Sequence, residues 1–89
     1  MNTQSFEQKY LQLTPRLYSV AFSVLGNAED AEDAVQDTFA RLWEKRNELE
    51  RMENAEGYFM TTLRHISLNM LRNRHAAADI AEAHNAPTD

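Results

Sequence analysis

The residues whose spacing could do chemistry here are carboxylates and arginines, and they fall on separate stretches. Residues 28–37 hold five acids and no base, and Asp33, Gln36 and Asp37 recur within them at helical spacing. Residues 57–78 hold Arg64, Arg72 and Arg74 and no acid. The first set suits ion pairing and hydrogen bonding to a cationic partner surface. The second lies among Tyr58, Thr61, His65 and Asn69. It suits phosphate and base contacts to a nucleic acid. On the residues alone, a plain solvated helix face is the more frequent meaning of either pattern.

Turnover chemistry has little to work with. His65, His75 and His84 share no ligand spacing with carboxylates, and there is no Cys. No metal and no cofactor is therefore expected. There is no glycine-rich phosphate loop and no Ser-x-Gly nucleophile elbow. The carboxylates sit on an open helix face, without the burial that would tune them for proton transfer. A binding domain rather than an enzyme is the expectation.

Helices must position these groups. With 89 residues there is room for one domain, and only two Gly and two Pro signal turns. A few long helices fit that composition better than many strands. Phe6, Tyr10, Leu13, Leu17 and Ala21 are spaced for a first helical segment, with Val24 and Leu25 beyond and Tyr18 and Phe22 widening its stripe. Pro15 interrupts it, either as a kink or as the start of a second piece capped by Thr14, and Gly26-Asn27 closes it. Asn27, with Asp30 three residues on, opens a second helix over about 28–46, whose last turn carries Lys45 and Arg46. On it Ala31, Ala34, Val35, Thr38, Phe39 and Leu42 gather on one side. Asp33, Gln36, Asp37, Ala40 and Glu44 gather on the other, with Trp43 at the boundary. A polar connection, Asn47 to Glu56, leads to a third helix over about 55–75.

The third helix buries a stripe of Phe59, Thr62, Leu63, Ile66 and Met70 and turns Thr61, Arg64, Leu68, Arg72 and His75 outward. Outward Leu68 and Leu71 would then pack on the first segment. The expected fold is all-α, a compact bundle of three main helices. Its core is Tyr10, Leu17, Ala21, Phe22, Val35, Phe39, Leu42, Phe59, Leu63, Ile66 and Met70. The Ala-rich stretch 76–89 reads as a fraying helix end or a linker. No apolar run is long enough for a membrane helix, and the start Met1-Asn-Thr-Gln-Ser-Phe-Glu lacks the parts of a signal peptide. A cytoplasmic chain without membrane contact is expected.

Leu17-Tyr18-x-x-Ala21, followed by Gly26-Asn-Ala-Glu-Asp-Ala-Glu-Asp-Ala-Val-Gln-Asp-Thr-Phe-Ala-Arg-Leu-Trp43, resembles region 2 of bacterial sigma factors. The resemblance is greatest to the extracytoplasmic-function (ECF) branch of the sigma-70 family. Tyr58-Phe-Met-Thr-Thr-Leu-Arg-His-Ile-Ser-Leu-Asn-Met-Leu-Arg-Asn-Arg74 is similar to the family's promoter-facing helix. Together these cover about residues 6–75. The resemblance implies that the second helix docks on the β′ clamp helices of RNA polymerase core through Asp33, Gln36 and Asp37, with Arg41 and Trp43 as neighbours. It implies that the loop before the third helix, with Asn47, Arg51 and Asn54, captures a flipped-out base of the minus-ten promoter element. Tyr58, Thr61, Arg64, His65, Asn69 and Arg72 would face the single strand and help melting.

The sequence departs from the family's pattern at His65, often Asn, at Asn69, often Asp, and near Tyr58, where Trp is frequent. Residues 1–75 would form the region 2 domain. Residues 76–89 would begin a linker towards a helix-turn-helix region 4 that this length cannot hold. An anti-sigma factor is a further implied partner, and a helical protein–protein module without direct DNA contact is the alternative.

Overall fold

The computed structural model describes the backbone of residues 2–85 and the side chains of residues 2–74. Helix α1, Thr3–Tyr10, starts at Asn2, whose side-chain oxygen accepts the Ser5 N–H at 2.8 Å. A single 3-10 turn, Leu11–Leu13, leads into α2, Thr14–Leu25, which carries Pro15 in its first turn. Thr14 does not cap α2, and no side chain does. The chain arrives already helical at Leu13 (φ −79°, ψ −12°), so the open amide end that a cap would satisfy does not form.

Helix α2 stops at Gly26, whose φ is +78° and whose N–H donates to the Phe22 carbonyl at 2.8 Å. A Cβ there would meet nothing within 4 Å, so the left-handed backbone, not lack of room, favours glycine. Asn27 then opens α3, Ala28–Glu44, by accepting the Asp30 N–H at 2.8 Å. Its amide nitrogen donates in turn to the Asp30 carboxylate at 3.1 Å. This is the reciprocal pairing that the Asn27–Asp30 spacing predicts, closed between side chains.

Helix α3 ends at Glu44, two residues earlier than the charge pattern suggests. Lys45 caps its C-terminal end, and Arg46 begins a one-turn helix α4, Arg46–Leu49. The expected polar connection is therefore helical in its first half. Leu49 turns inward there and is 1% exposed. Helix α5, Ala55–Asn85, runs ten residues past the expected end near 75. Residues 86–89 lie outside the described part.

Helices α2, α3 and α5 pack on one another, and α1 sets its Phe6 ring against Phe39 and Trp43 of α3 and Phe59 of α5. The core takes Leu17, Ala21 and Leu25 from α2 and Ala31, Ala34, Val35 and Leu42 from α3. Phe59, Leu63 and Ile66 come from α5. The α1 contribution is aromatic: the Phe6 ring lies 5.1 Å from Tyr10, 5.2 Å from Trp43 and 6.2 Å from Phe59. The Trp43 contact is edge-on, which suits the ring quadrupoles.

Four residues depart from the expected burial. Phe22 is 43% exposed: Leu17, Ala21 and Leu25 take the buried stripe of α2, and Phe22 lies one helical step away, beside Tyr18. Leu68 is exposed, although Leu71 does pack against the core. Phe39 and Met70 are half-buried at its rim.

Candidate functional site

Asp33, Gln36 and Asp37 are all exposed and share one face of α3 with Ala40 and Glu44. They stand outward because the residues between them are committed to the core. Ala34, Val35 and Thr38 are buried, and the Thr38 hydroxyl donates to the Ala34 carbonyl at 2.7 Å. The hydroxyl is thereby satisfied inside the helix, and α3 packs its inner face without an open polar group at that position. None of the three outward side chains has a hydrogen bond or ion pair to a described residue. These three make a row of free acceptors a little over one turn long.

Trp43 and Arg41, expected as neighbours of that row, are drawn elsewhere. The Trp43 ring packs edge-on against Phe6, with the Arg46 guanidinium 4.2 Å from its centroid. Arg46 also donates to the Trp43 carbonyl at 2.9 Å, which holds α4 against the end of α3. Trp43 lines an apolar groove between α1 and α3 with Phe6, Leu11, Phe39 and Ala40. Arg41 is exposed but turns to the other edge of α3, where it lines a cleft against α5.

The α5 residues divide similarly. Tyr58, Thr62, His65, Asn69 and Arg72 fall within about 80° of one another on the helix wheel and form a continuous stripe. His65, Asn69 and Arg72 are exposed along it, and Tyr58 and Thr62 are half-buried on its α3 side. Thr61 is exposed at its border. Arg64 is also exposed but lies about 120° round from the middle of the stripe, so the helical repeat brings Arg72 to it and not Arg64.

Asn54 is the residue that starts α5. Its side-chain oxygen accepts the Gly57 N–H at 3.0 Å, and its carbonyl accepts the Tyr58 N–H at 3.3 Å. Gly57 makes this possible. A Cβ on it would come within 2.4 Å of the Asn54 amide. Asn54 is thus occupied as a helix cap through its oxygen, and only its amide nitrogen is left to face a ligand. Met52, Glu53, Asn54, Gly57, Tyr58 and Thr61 line an open cleft of about 590 Å³ at this corner. Asn47, on α4, and Arg51, in the turn after it, are exposed but are not part of that lining.

Arg74 leaves the cationic set. Its guanidinium pairs with Asp30 and donates to the Leu25 carbonyl at 3.2 Å. It bridges α5 to the corner between α2 and α3, where Leu25 ends one helix and Asp30 begins the next. A lone arginine near the end of a basic run gave no sign of a partner more than forty residues earlier.

The sequence profile of Sigma-70 region 2 matches residues 10–77. The chain belongs to the sigma-70 region 2 family. No curated protein and no solved structure gives a significant match. Region 2 binds RNA polymerase and acts in promoter melting, a non-enzymatic role in transcription initiation. The two free surfaces of this sigma-70 region 2 domain lie on different helices, α3 and α5. Among the described residues no helix is long and apolar enough to cross a membrane, and no cluster of three or more His, Asp or Glu could hold a metal ion.

Proposed function

We propose that this chain is the core-binding and minus-ten-binding domain of an ECF-type sigma factor, working in the bacterial cytoplasm. The observation that carries the reading is the division of labour between two surfaces. The free acceptors of α3, Asp33, Gln36 and Asp37, are aimed at a cationic protein surface, the β′ clamp helices. The stripe of α5, Tyr58, His65, Asn69 and Arg72, is aimed at a single strand of DNA. Residues 1–75 form the working unit, and an anti-sigma factor is a further partner.

The mechanism is differential binding. A strand held along α5 keeps its bases unstacked, so the domain stabilises open promoter over duplex. The cleft at Met52, Asn54, Tyr58 and Thr61 takes one flipped base, with Tyr58 as the stacking surface. Few cations face the strand, so the domain depends on polymerase for much of its affinity.

Replacing Asp33, Gln36 and Asp37 together with Ala tests this reading. All three are exposed, so the helical circular dichroism stays unchanged. Binding to a purified β′ clamp-helix fragment should fall at least tenfold. Equal affinity of the triple variant and the parent would remove the polymerase assignment of α3.

A further inference from the structure

The cleft between the C-terminal end of α3 and the first half of α5 is lined by Arg41, Leu42, Lys45, Tyr58, Thr62 and His65, and its volume is about 220 Å³. We propose that it binds one backbone phosphate of the single strand, with Arg41 and Lys45 of α3 as the cations and His65 of α5 opposite them. This rests on the nucleic-acid reading above. It changes the expectation from the resemblance in two respects: Arg41 serves the strand and not the polymerase, and Lys45 acquires a role.

Four observations carry it. Arg41 and Lys45 are both exposed, and neither side chain is held in an ion pair or hydrogen bond with a described residue. Asp37 and Glu44, the nearest carboxylates along α3, do not pair with them, and they belong to the outward acidic face. On the wheel Arg41 is about 80° and Lys45 about 120° round from Asp33, which turns both towards α5. Leu42 is buried and forms an apolar floor, and Thr62 adds a hydroxyl.

The position also fits a strand already placed on α5. Tyr58 lines both this cleft and the neighbouring one at Met52–Asn54. The two clefts share Tyr58, so a strand with a base against that ring has a sugar–phosphate link within reach of the second cleft. The volume is several times the roughly 30 Å³ that a water takes in the liquid, so a phosphodiester enters with part of its hydration. The end of the α3 dipole is negative here, so the two side chains, and not backbone amides, must supply the attraction.

The test uses the chain itself. Nuclear magnetic resonance titration with a short oligothymidine at low salt should shift Arg41, Lys45, Tyr58 and His65 with one common dissociation constant. The double variant Arg41→Ala with Lys45→Ala should keep the circular dichroism spectrum. It should lower the slope of log affinity against log salt by about 0.7, the value for one phosphate on a single strand. Inorganic phosphate alone should not reproduce the Tyr58 shift, because the ring responds to the base. An unchanged slope overturns the proposal, and a fall near 1.4 replaces one phosphate with two. Arg41→Ala must also leave affinity for the β′ clamp helices at the parental value; a loss there returns Arg41 to the polymerase face. The Asp33, Gln36 and Asp37 triple variant is the separate control, since its failure removes the polymerase reading and leaves the oligothymidine result standing.

Discussion

Arg74→Ala probes whether a cationic residue of α5 is structural or belongs to the strand-facing set. In the folded chain its guanidinium serves two groups at once, the Asp30 carboxylate and the Leu25 carbonyl. The Asp30 pair is partly open to solvent, with side chains 42% and 33% exposed, so it contributes only about 0.2–1 kcal/mol. The bond to Leu25 satisfies one of the last carbonyls of α2 with a charged donor and adds about 1 kcal/mol. The sum is about 1.5 kcal/mol, which for a domain this size lowers the midpoint of thermal unfolding by about 6–12 °C. Arg74→Lys, with one donor group in place of a fork, should recover about half. A double-mutant cycle with Asp30→Asn should leave a coupling below about 1 kcal/mol, because the Leu25 bond survives that change. Circular dichroism melts give these values, and the oligothymidine titration gives the second readout. Arg74→Ala should leave the salt slope unchanged. A variant that melts with the parent but loses salt dependence would refute the clasp and return Arg74 to the DNA surface.

Three other outcomes follow from the same contacts. Leu49→Ala should destabilise the domain by about 2–5 kcal/mol in urea denaturation, since the side chain is 1% exposed and α4 has no other buried residue. Gly57→Ala should displace the Asn54 side chain and remove the α5 cap, at a cost of about 1 kcal/mol, whereas Asn54→Asp keeps the accepting oxygen and should melt near the parent. Ser67→Ala should be neutral or stabilising in the same melts, because the buried hydroxyl makes no hydrogen bond to any described residue.

The second helix was legible almost whole. Asn27, Asp30 and the alternation of Ala34, Val35, Thr38 and Leu42 with Asp33, Gln36 and Asp37 are local signals, and a local signal needs only the 3.6-residue repeat to be read. Gly26 and Pro15 were legible for the same reason: each acts on its own backbone, Gly26 by allowing the left-handed turn and Pro15 by fixing φ. Leu49 was not, because a single leucine among Asn47, Glu48, Glu50 and Arg51 has no period to declare it. Phe22 misled, because two adjacent apolar stripes on α2, Leu17-Ala21-Leu25 and Tyr18-Phe22, look alike until α3 and α5 choose one of them.

The candidate surfaces divide along the same line. Which residues of α3 and α5 could bind was suggested by type, spacing and resemblance, and the outward positions of Asp33, Gln36, Asp37, Thr61, Arg64 and Arg72 follow from the helical repeat alone. The partition of Arg41, Arg46 and Arg74 was decided only by the tertiary structure. Arg41, Arg46, Arg64, Arg72 and Arg74 are one kind of residue in the sequence. Packing sets Arg46 on Trp43, ties Arg74 to Asp30 and Leu25, and turns Arg41 into the cleft beside His65. The helical repeat alone sets Arg72 in line with Tyr58 and Arg64 aside. A charge reads its surroundings through distance and solvent, and those are set by how α2, α3 and α5 cross, which no single stretch of the chain contains.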